Sequence, residues 1–299
     1  MKLKDKEIKR DVGGEVALSY PQNFQGEIIT HSIESPRYRR LQLKAPEVAR
    51  SARAGQFIHV LPRDAASFDP LLRRAFSIMS TNGDTLTVLY RIEGRGTALL
   101  STRQVGEYVD FLGPLGKPFA DPPQRAILVG GGVGVPPLLM LARQVRQSPG
   151  QDDGATTLTM LLGARSREDV LCLDDFGRLQ IGVEVATDDG SVGEHGRVTQ
   201  LLQRHLALLS ETETLVDEGG FCAGVTVYAC GPILMLKAVA ALCAQHHVRC
   251  QVSLEENMPC GVGVCNGCVV PVAEPQNEYS MYRRICVDGP VMWAHELSW

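Results

Sequence analysis

Four cysteines near the C-terminal end constrain this chain more than any other feature. Cys260, Cys265 and Cys268 lie in the stretch Met258-Pro259-Cys260-Gly261-Val262-Gly263-Val264-Cys265-Asn266-Gly267-Cys268, and Cys286 follows. The spacing C-x4-C-x2-C…C is that of a plant-type [2Fe–2S] centre. Thiolates are soft, charged ligands that select soft metals and iron–sulfur clusters. Gly261, Gly263 and Gly267 share the loop, and glycine's tolerance of positive φ lets backbone N–H groups turn toward cluster sulfides. A structural zinc site is the competing reading. Zinc ribbons, however, pair their ligands as two short knuckles, whereas here three cysteines crowd one loop and the fourth is remote. Disulfide frameworks belong to short secreted chains. A one-electron carrier of this kind narrows the function to electron transfer.

The remaining composition is that of a globular protein: 299 residues, 44% hydrophobic and 21% charged, enough for two domains and a small appendage. The net charge of −4 argues against a nucleic-acid partner, whose first sign is a basic patch. The N-terminal stretch MKLKDKEIKRDVGG is charged and has no apolar h-region, so it does not read as a signal peptide. No run approaches the roughly 20 apolar residues of a membrane span. Nine cysteines without an export signal point to a reducing, cytoplasmic location, away from membranes. Outside the cluster set, Cys172, Cys222, Cys243 and Cys250 read as buried small hydrophobes.

Along the chain, the pattern predicts four segments. Residues 1–22 are a polar, poorly ordered extension. Residues 23–121 carry short β-rich runs at 28–29, 41–43, 56–60, 76–78 and 86–90 broken by Gly, Pro and Asp, which predict a small antiparallel barrel. One short helix is expected from Thr97. Residues 122–250 alternate strand and helix: strands at 126–129, 157–162, 183–186 and 225–229, helices at 136–147, 198–209 and 233–246. That alternation predicts a doubly wound parallel sheet. Residues 251–299 form a small C-terminal domain around the cysteines. The stretch 210–224 is a loop that the alternation does not require.

Several sites stand out in this frame. Gly130-Gly131-Gly132-Val133-Gly134-Val135-Pro136-Pro137 follows a strand and opens a helix. Backbone N–H groups there can approach a pyrophosphate at the helix's positive end, although a tight turn would use glycine anyway. Cys230-Gly231-Pro232 ends a sheet strand, where ligands of open α/β sheets sit; a buried cysteine is the equal alternative. Arg73 and Arg74, before Ala75-Phe76-Ser77, place guanidinium forks beside a barrel strand, where a phosphate could be gripped, although taken alone they read first as a surface charge pair. Gly94-Arg95-Gly96-Thr97 precedes the short helix and offers N–H groups to a second phosphate oxygen. Asp188-Asp189-Gly190-Ser191 and the glycines Gly193 and Gly196 read as a surface turn by default, with nucleotide contact as the alternative.

Taken in order, these motifs resemble a known family. Arg74-Ala75-Phe76-Ser77 resembles the R-x-[YF]-S flavin motif of the ferredoxin–NADP reductase superfamily. Leu89-Tyr90-Arg91 and Gly96-Thr97 resemble its further flavin contacts. The stretch 130–136 and Cys230-Gly231-Pro232 resemble its pyridine-nucleotide motifs. The run 255–268, with Cys286-Val287-Asp288-Gly289-Pro290-Val291 and the closing Trp299, is similar to the electron-transfer subunits of class 1B dihydroorotate dehydrogenases. The resemblance covers about residues 25–299.

The resemblance implies an FAD-binding barrel, an NAD-binding α/β domain and a [2Fe–2S] domain. Arg74, Ala75, Phe76, Leu89, Tyr90, Arg91, Gly96 and Thr97 would hold FAD, with Ser77 near the reactive flavin nitrogen. Gly131, Gly132, Gly134, Pro136, Cys230, Gly231 and Pro232 would lie along the NAD site, with Cys230 beside the nicotinamide. Cys260, Cys265, Cys268 and Cys286 would ligate the cluster. The partner would be an FMN-containing catalytic subunit that oxidises dihydroorotate in pyrimidine (UMP) synthesis, two of each in a heterotetramer. Electrons would run from that FMN to the cluster, then to FAD, then to NAD⁺ as a diffusible acceptor.

A cofactor that bridges two-electron and one-electron exchange is required independently, because NAD moves a hydride and the cluster moves single electrons. A flavin does this, and the protein supplies position and electrostatics. No acid–base residue is assigned here for dihydroorotate itself. The nearest rival is a reductase subunit of an NAD(P)H–ferredoxin, sulfide dehydrogenase or hydrogenase system with the same cofactors. Its relatives tend to carry aspartate at the first ligand, where this chain has Cys260. Arg165 and Arg167 follow a sheet strand and could meet a 2′-phosphate, so the sequence only leans to NAD over NADP. A remoter rival is a non-enzymatic nucleotide-binding module with a structural zinc.

Overall fold

The computed structural model describes residues 21–63, 67–147, 156–212, 216–217, 219–277 and 280–299. The polar extension expected at 1–22 therefore lies almost wholly outside the described residues, as does the stretch 148–155.

The first unit is a closed six-stranded barrel. Its strands are β1 (Gln22–Ser35), β2 (Tyr38–Lys44), β3 (Phe57–Leu61), β4 (Arg74–Asn82), β5 (Thr85–Arg91) and β6 (Tyr108–Leu115), and they close in the order β1-β2-β5-β4-β3-β6. Alternation drives the closure. In β6, Val109 and Phe111 are buried while Tyr108 faces out, as the two-residue period of a strand requires. Strand β1 is much longer than the sequence runs imply: residues 22–27 pair with β6 in unbroken register and residues 27–35 with β2, where the ladder carries two register shifts. Helix α1 (Pro46–Ser51) follows β2. Helix α2 (Arg95–Leu100) starts two residues before the expected Thr97, with extended Gly94 ahead of it.

The second unit is the expected α/β layer. Strands β7 (Arg125–Gly131), β8 (Thr157–Ala164), β9 (Gly182–Thr187), β10 (Glu194–His195), β11 (Val225–Cys230) and β12 (Arg249–Ser253) are parallel. Helices α3 (Val135–Gln147), α4 (Leu173–Arg178), α5 (Val198–Thr212) and α6 (Ile233–Gln245) connect them. All six residues of β11 are buried, the signature of a strand covered on both faces.

The third unit is less separate than the pattern implies. It contains β13 (Val269–Pro271), β14 (Tyr282–Arg284), α7 (Ile285–Asp288) and β15 (Val291–Trp293). Strand β15 pairs antiparallel with β12, so the sheet order is β10-β9-β8-β7-β11-β12-β15. The last strand of the sheet thus belongs to the cysteine lobe, and β12 itself crosses the expected boundary at 250/251.

Two contacts fix how the units meet. Asp175, on α4 and nearly fully buried, accepts from Arg40 of β2 at 2.8 Å and from Arg143 of α3 at 3.0 Å, while Arg40 also holds Glu34 at 2.8 Å. At the far edge, the expected 210–224 loop is partly helix, because α5 runs to Thr212. Beyond it, Asp217 pairs with Arg249 at 2.6 Å, and that guanidinium lies over Phe221 (5.0 Å) and Trp293 (5.8 Å). The insertion therefore caps the edge where β12 and β15 join.

Candidate functional site

The three units enclose one cleft of about 810 Å³, within the usual range for a small-molecule site. Strand β4 contributes Arg74, Ala75, Phe76 and Ser77; β5 contributes Leu89, Tyr90 and Arg91; Thr97 of α2 and Val133 of the glycine turn complete two walls. Residues 253–259 form the remaining wall and run straight into Cys260. Eight of the residues singled out from the sequence as flavin contacts or near-flavin groups thus share one cavity.

Each is held for a physical reason. Arg74 donates to the Leu72 and Arg73 carbonyls at 2.8 and 3.1 Å, which anchors one end of its fork. Gly96 is not on the wall, but it matters there: a Cβ on it would lie 3.1 Å from Arg74 Nε. Arg73 is different. Its guanidinium is spent on Asp110 and Asn23 and on the His59 carbonyl, so it braces the barrel. Tyr90 is buried, its hydroxyl hydrogen-bonded to His31 at 2.9 Å and its ring 5.2 Å from that of Phe76. Burial holds its phenol well above the usual range. Thr97 Oγ1 accepts from the Glu93 and Gly94 amides at 3.0 and 3.2 Å, closing the turn before α2. Arg91 pairs with Glu93 at the cleft's mouth.

The nucleotide motifs meet beside this cleft. Gly130, Cys230 and Ser253 stand in register across β7, β11 and β12, at the carboxyl ends of the strands. Gly134 has no room for a side chain, since its Cβ would fall 2.3 Å from the Cys230 carbonyl oxygen. Gly131 packs against Pro232 and Met235, and Gly231 adopts φ +151 against the Gly131 backbone. Gly132, at φ +55, faces open space, and Pro136 is buried in the first turn of α3. Cys230 itself is fully buried and lies off the cleft wall. Burial, then the nearby Glu255 carboxylate, pushes its thiol far up, which makes it a packing surface rather than a nucleophile. The turn after β9 sits at the same sheet end: Arg167 donates from its amide to Ser191 Oγ at 2.7 Å and from its guanidinium to the Ser191 carbonyl at 2.9 Å. Arg165 is exposed beside it.

The cysteines fall into two pairs. Cys260 and Cys265 lie toward the surface and share a thiol contact; Cys268 and Cys286 are buried and share another. Burial raises the Cys260 thiol, but the amides of Cys265, Val262 and Val264 outweigh it and bring the value down to about 6. Burial and the neighbouring Cys268 push Cys286 up to about 12. Gly261 (φ +70), Gly263 (φ +79) and Asn266 (φ 53) make the bends that turn these amides inward. Among the described residues, the one trio of ligand atoms within 4.8 Å of one another is Glu34, Cys172 and Asp175, which the arginines around Asp175 already occupy. The four cysteines therefore do not converge on a point. A tetrahedral zinc with bonds of about 2.3 Å would bring its sulfurs to about 3.8 Å from one another. Two pairs set apart fit a binuclear cluster.

Sequence reasoning did not single out Glu93, Ser253 or Glu255 as cleft groups, nor His31 behind Tyr90. Glu255 opens onto the cleft while protein surrounds its other sides, and that desolvation raises its carboxyl above the usual range. Its position directly before the cysteine loop was the available signal. His31 had none, since it reaches Tyr90 over the intervening strand β2 from a position far away in sequence.

Comparison with known proteins matches this geometry. The family described as oxidoreductase NAD-binding domain matches residues 128–241, and the iron-sulfur cluster binding domain of dihydroorotate dehydrogenase B matches residues 255–298. The dihydroorotate dehydrogenase B (NAD(+)) electron transfer subunit of Geobacillus kaustophilus is 39% identical, covering 90% of this chain and 96% of its own. That of Shouchella clausii is 39% identical over 99% of this chain and 95% of its own. That of Desulforamulus reducens is 34% identical over 92% and 98%. Among solved structures, an NADH-dependent reduced ferredoxin-NADP oxidoreductase studied for flavin-based electron bifurcation superposes with a TM-score of 0.72 at 25% identity, covering 92% of this chain and 90% of that one. A ferredoxin NADP+ reductase from Neisseria gonorrhoeae with bound FAD and NADP shares the fold, with a TM-score of 0.59 at 17% identity over 79% of this chain and 95% of that one.

Proposed function

This chain belongs to the family of dihydroorotate dehydrogenase B (NAD(+)) electron transfer subunits, and from that membership we propose how its residues divide the work. The protein delivers to NAD⁺ the electrons that a catalytic partner removes from dihydroorotate, in the synthesis of UMP. FAD and a [2Fe–2S] cluster, when bound, supply the exchange between single electrons and the hydride of NAD. The partner carries FMN and assembles with this chain two to two. Nine free cysteines fit a reducing cytosol. Among the described residues no helix is long and apolar enough to cross a membrane.

Arg74 neutralises the flavin's pyrophosphate from its carbonyl-anchored fork, with Thr97 closing the turn beside it. Tyr90 and Phe76 present ring faces, held by His31 and by each other. Ala75, Leu89, Arg91 and Gly96 complete that cradle, and Ser77 stands nearest the reacting edge. The turn at 131–136, with Gly231 and Pro232, receives the dinucleotide's phosphates at the start of α3. Cys230 backs the nicotinamide as a buried floor. Cys260, Cys265, Cys268 and Cys286 would hold the cluster, as a surface pair and a buried pair.

The observation that carries this reading is the segment 253–259. It starts in register with Cys230, walls the cleft and ends at Cys260, so one short stretch of backbone links all three sites. Adding NADH anaerobically to the purified protein should bleach both flavin bands and a red-brown shoulder. The chain alone should not oxidise dihydroorotate, and mixing with the FMN subunit should yield NADH and orotate. Dihydroorotate oxidation by the lone chain would defeat the assignment. Cys230→Ala should slow NADH-dependent flavin reduction and leave the shoulder intact.

The likeness to the NADH-dependent ferredoxin-NADP oxidoreductase supports a second reading, in which a ferredoxin system replaces the dihydroorotate-oxidising partner. It predicts turnover with reduced ferredoxin and none with the FMN subunit.

A further inference from the structure

His59 sits in β3, is 0% exposed, and neither of its ring nitrogens has a hydrogen-bond partner. Buried polar side chains are nearly always paired, so an orphan at this depth needs a reason. Its surroundings offer one. On the barrel side, His59 pairs in the β3–β4 ladder with Ala75, inside the stretch that lines the cleft, and its carbonyl accepts from Arg73 at 3.2 Å. On the other side the ring meets the cysteine loop. A Cβ on Gly261 would fall 2.5 Å from His59 Nδ1, and Gly261 is at φ +70. The carbonyls of Met258 and Cys260 lie near the ring without completing hydrogen-bond geometry. Either tautomer of the ring carries an N–H that one of these carbonyls can accept. An apolar side chain would fill the same hole without two unpaired nitrogens.

We propose that His59 is a positioning residue for electron exchange: wedged against Gly261, its ring completes a hydrogen bond from its N–H to the Met258 or Cys260 carbonyl when the cofactors are bound, and so holds the 258–261 backbone against the flavin-binding strand. It thereby sets the orientation of the Cys260 end of the cluster loop and the electron balance between cluster and flavin. The proposal rests on the cofactor reading above. Hydrogen bonding around the sulfurs and solvent exposure set cluster potentials, and groups that orient metal ligands commonly change metal-site behaviour about 10–100-fold when removed.

The test compares the full-length wild type with His59→Leu and His59→Gln, all loaded with FAD and cluster. Iron and sulfide are counted first, then the reduced-cluster EPR spectrum and both midpoint potentials are recorded. NADH should reduce the flavin at the wild-type rate in all three. In His59→Leu the flavin–cluster equilibrium should shift about tenfold, or about 59 mV for a one-electron couple, with an altered EPR line shape. His59→Gln keeps an N–H donor and should restore most of both. A Leu variant with wild-type potential and spectrum overturns the proposal, as does a Gln variant no better than Leu. Should the Leu variant not fold, the Gln variant decides alone: wild-type potentials support the role and a tenfold shift overturns it. A wild-type protein that takes up no cluster after reconstitution overturns the cofactor reading itself, and this proposal with it, which separates the two failures.

Discussion

The barrel and the cysteine lobe stand on either side of the same cleft and are built differently. In the barrel, Ile28, Leu41, Leu43, Ile58, Ile78 and Val88 are all 0% exposed, and the cleft residues project from a closed ring of strands. In the lobe, β13 and β14 are three residues each, and Val264, Val269, Met281 and Tyr282 are exposed. Two of the lobe's buried residues are the proposed ligands Cys268 and Cys286. Lobes of this size lack the core to fold by burial alone and usually depend on metals, disulfides or a neighbour. Here β15, laid against β12, supplies the neighbour, and the thiolates would supply the metal site. One wall of the cleft is thus expected to stand without the cofactors, and the opposite wall to depend on one of them.

That contrast can be broken most sharply by Cys268→Ser. It should abolish cluster iron and the reduced EPR signal and expose residues 255–298 to proteolysis more than tenfold faster, while flavin content and NADH-dependent flavin reduction stay near wild type. Loss of flavin in the same variant would show that the walls are not independent. Arg74→Ala attacks the opposite wall. A charge-assisted hydrogen bond contributes about 1.5–3 kcal/mol, so FAD affinity, read by fluorescence titration, should fall about 10–100-fold with cluster content unchanged.

Asp175→Ala tests the clamp between barrel and sheet. Breaking a fully buried pair costs about 3–5 kcal/mol. Because Arg40 and Arg143 are 25% and 30% exposed, the expected loss is nearer about 2 kcal/mol in denaturant unfolding, with the cluster spectrum unaltered. Gly134→Ala places a methyl against the Cys230 carbonyl. Overpacking of this kind costs about 1–3 kcal/mol, and stopped-flow reduction of the flavin by NADH should slow about tenfold with both spectra preserved.

The smallest effect lies within the lobe. In cluster-free protein at pH 7.5, Cys260, at about 6, is mostly thiolate, and Cys286, at about 12, is thiol. Alkylation followed by mass mapping should label Cys260 at least about tenfold faster. Equal labelling would mean that the loop amides are not arranged until the cluster binds.

The readable parts were those in which chemistry is local. The first three cysteines, the glycine turn before α3 and the 74–77 strand each declare themselves within a dozen residues, because a ligand loop or a phosphate turn is made by consecutive backbone. The alternation of β7 to β12 with helices likewise reads directly as a parallel sheet. The role of the stretch 210–224 was not legible because it depends on Arg249 and Trp293, which are distant in sequence. Arg73 and Arg74 looked alike and both line the cleft; only the position of Asp110 on β6 engages the Arg73 guanidinium, while that of Arg74 is anchored on backbone carbonyls.

By itself, the sequence determined the cluster and phosphate chemistry: thiolates at a cluster's spacing and glycine where N–H groups must turn inward. Residue type and local spacing suffice for these, whereas the flavin reading of the 74–77 strand came from its resemblance to a known motif. Only the tertiary structure decided that 253–259 walls the cleft lined by 74–77, that β15 completes the NAD-domain sheet and that His59 is pressed against Gly261. These are contacts between segments far apart along the chain. They depend on how barrel, sheet and lobe pack, and packing is set by the sum of many buried surfaces rather than by any short pattern.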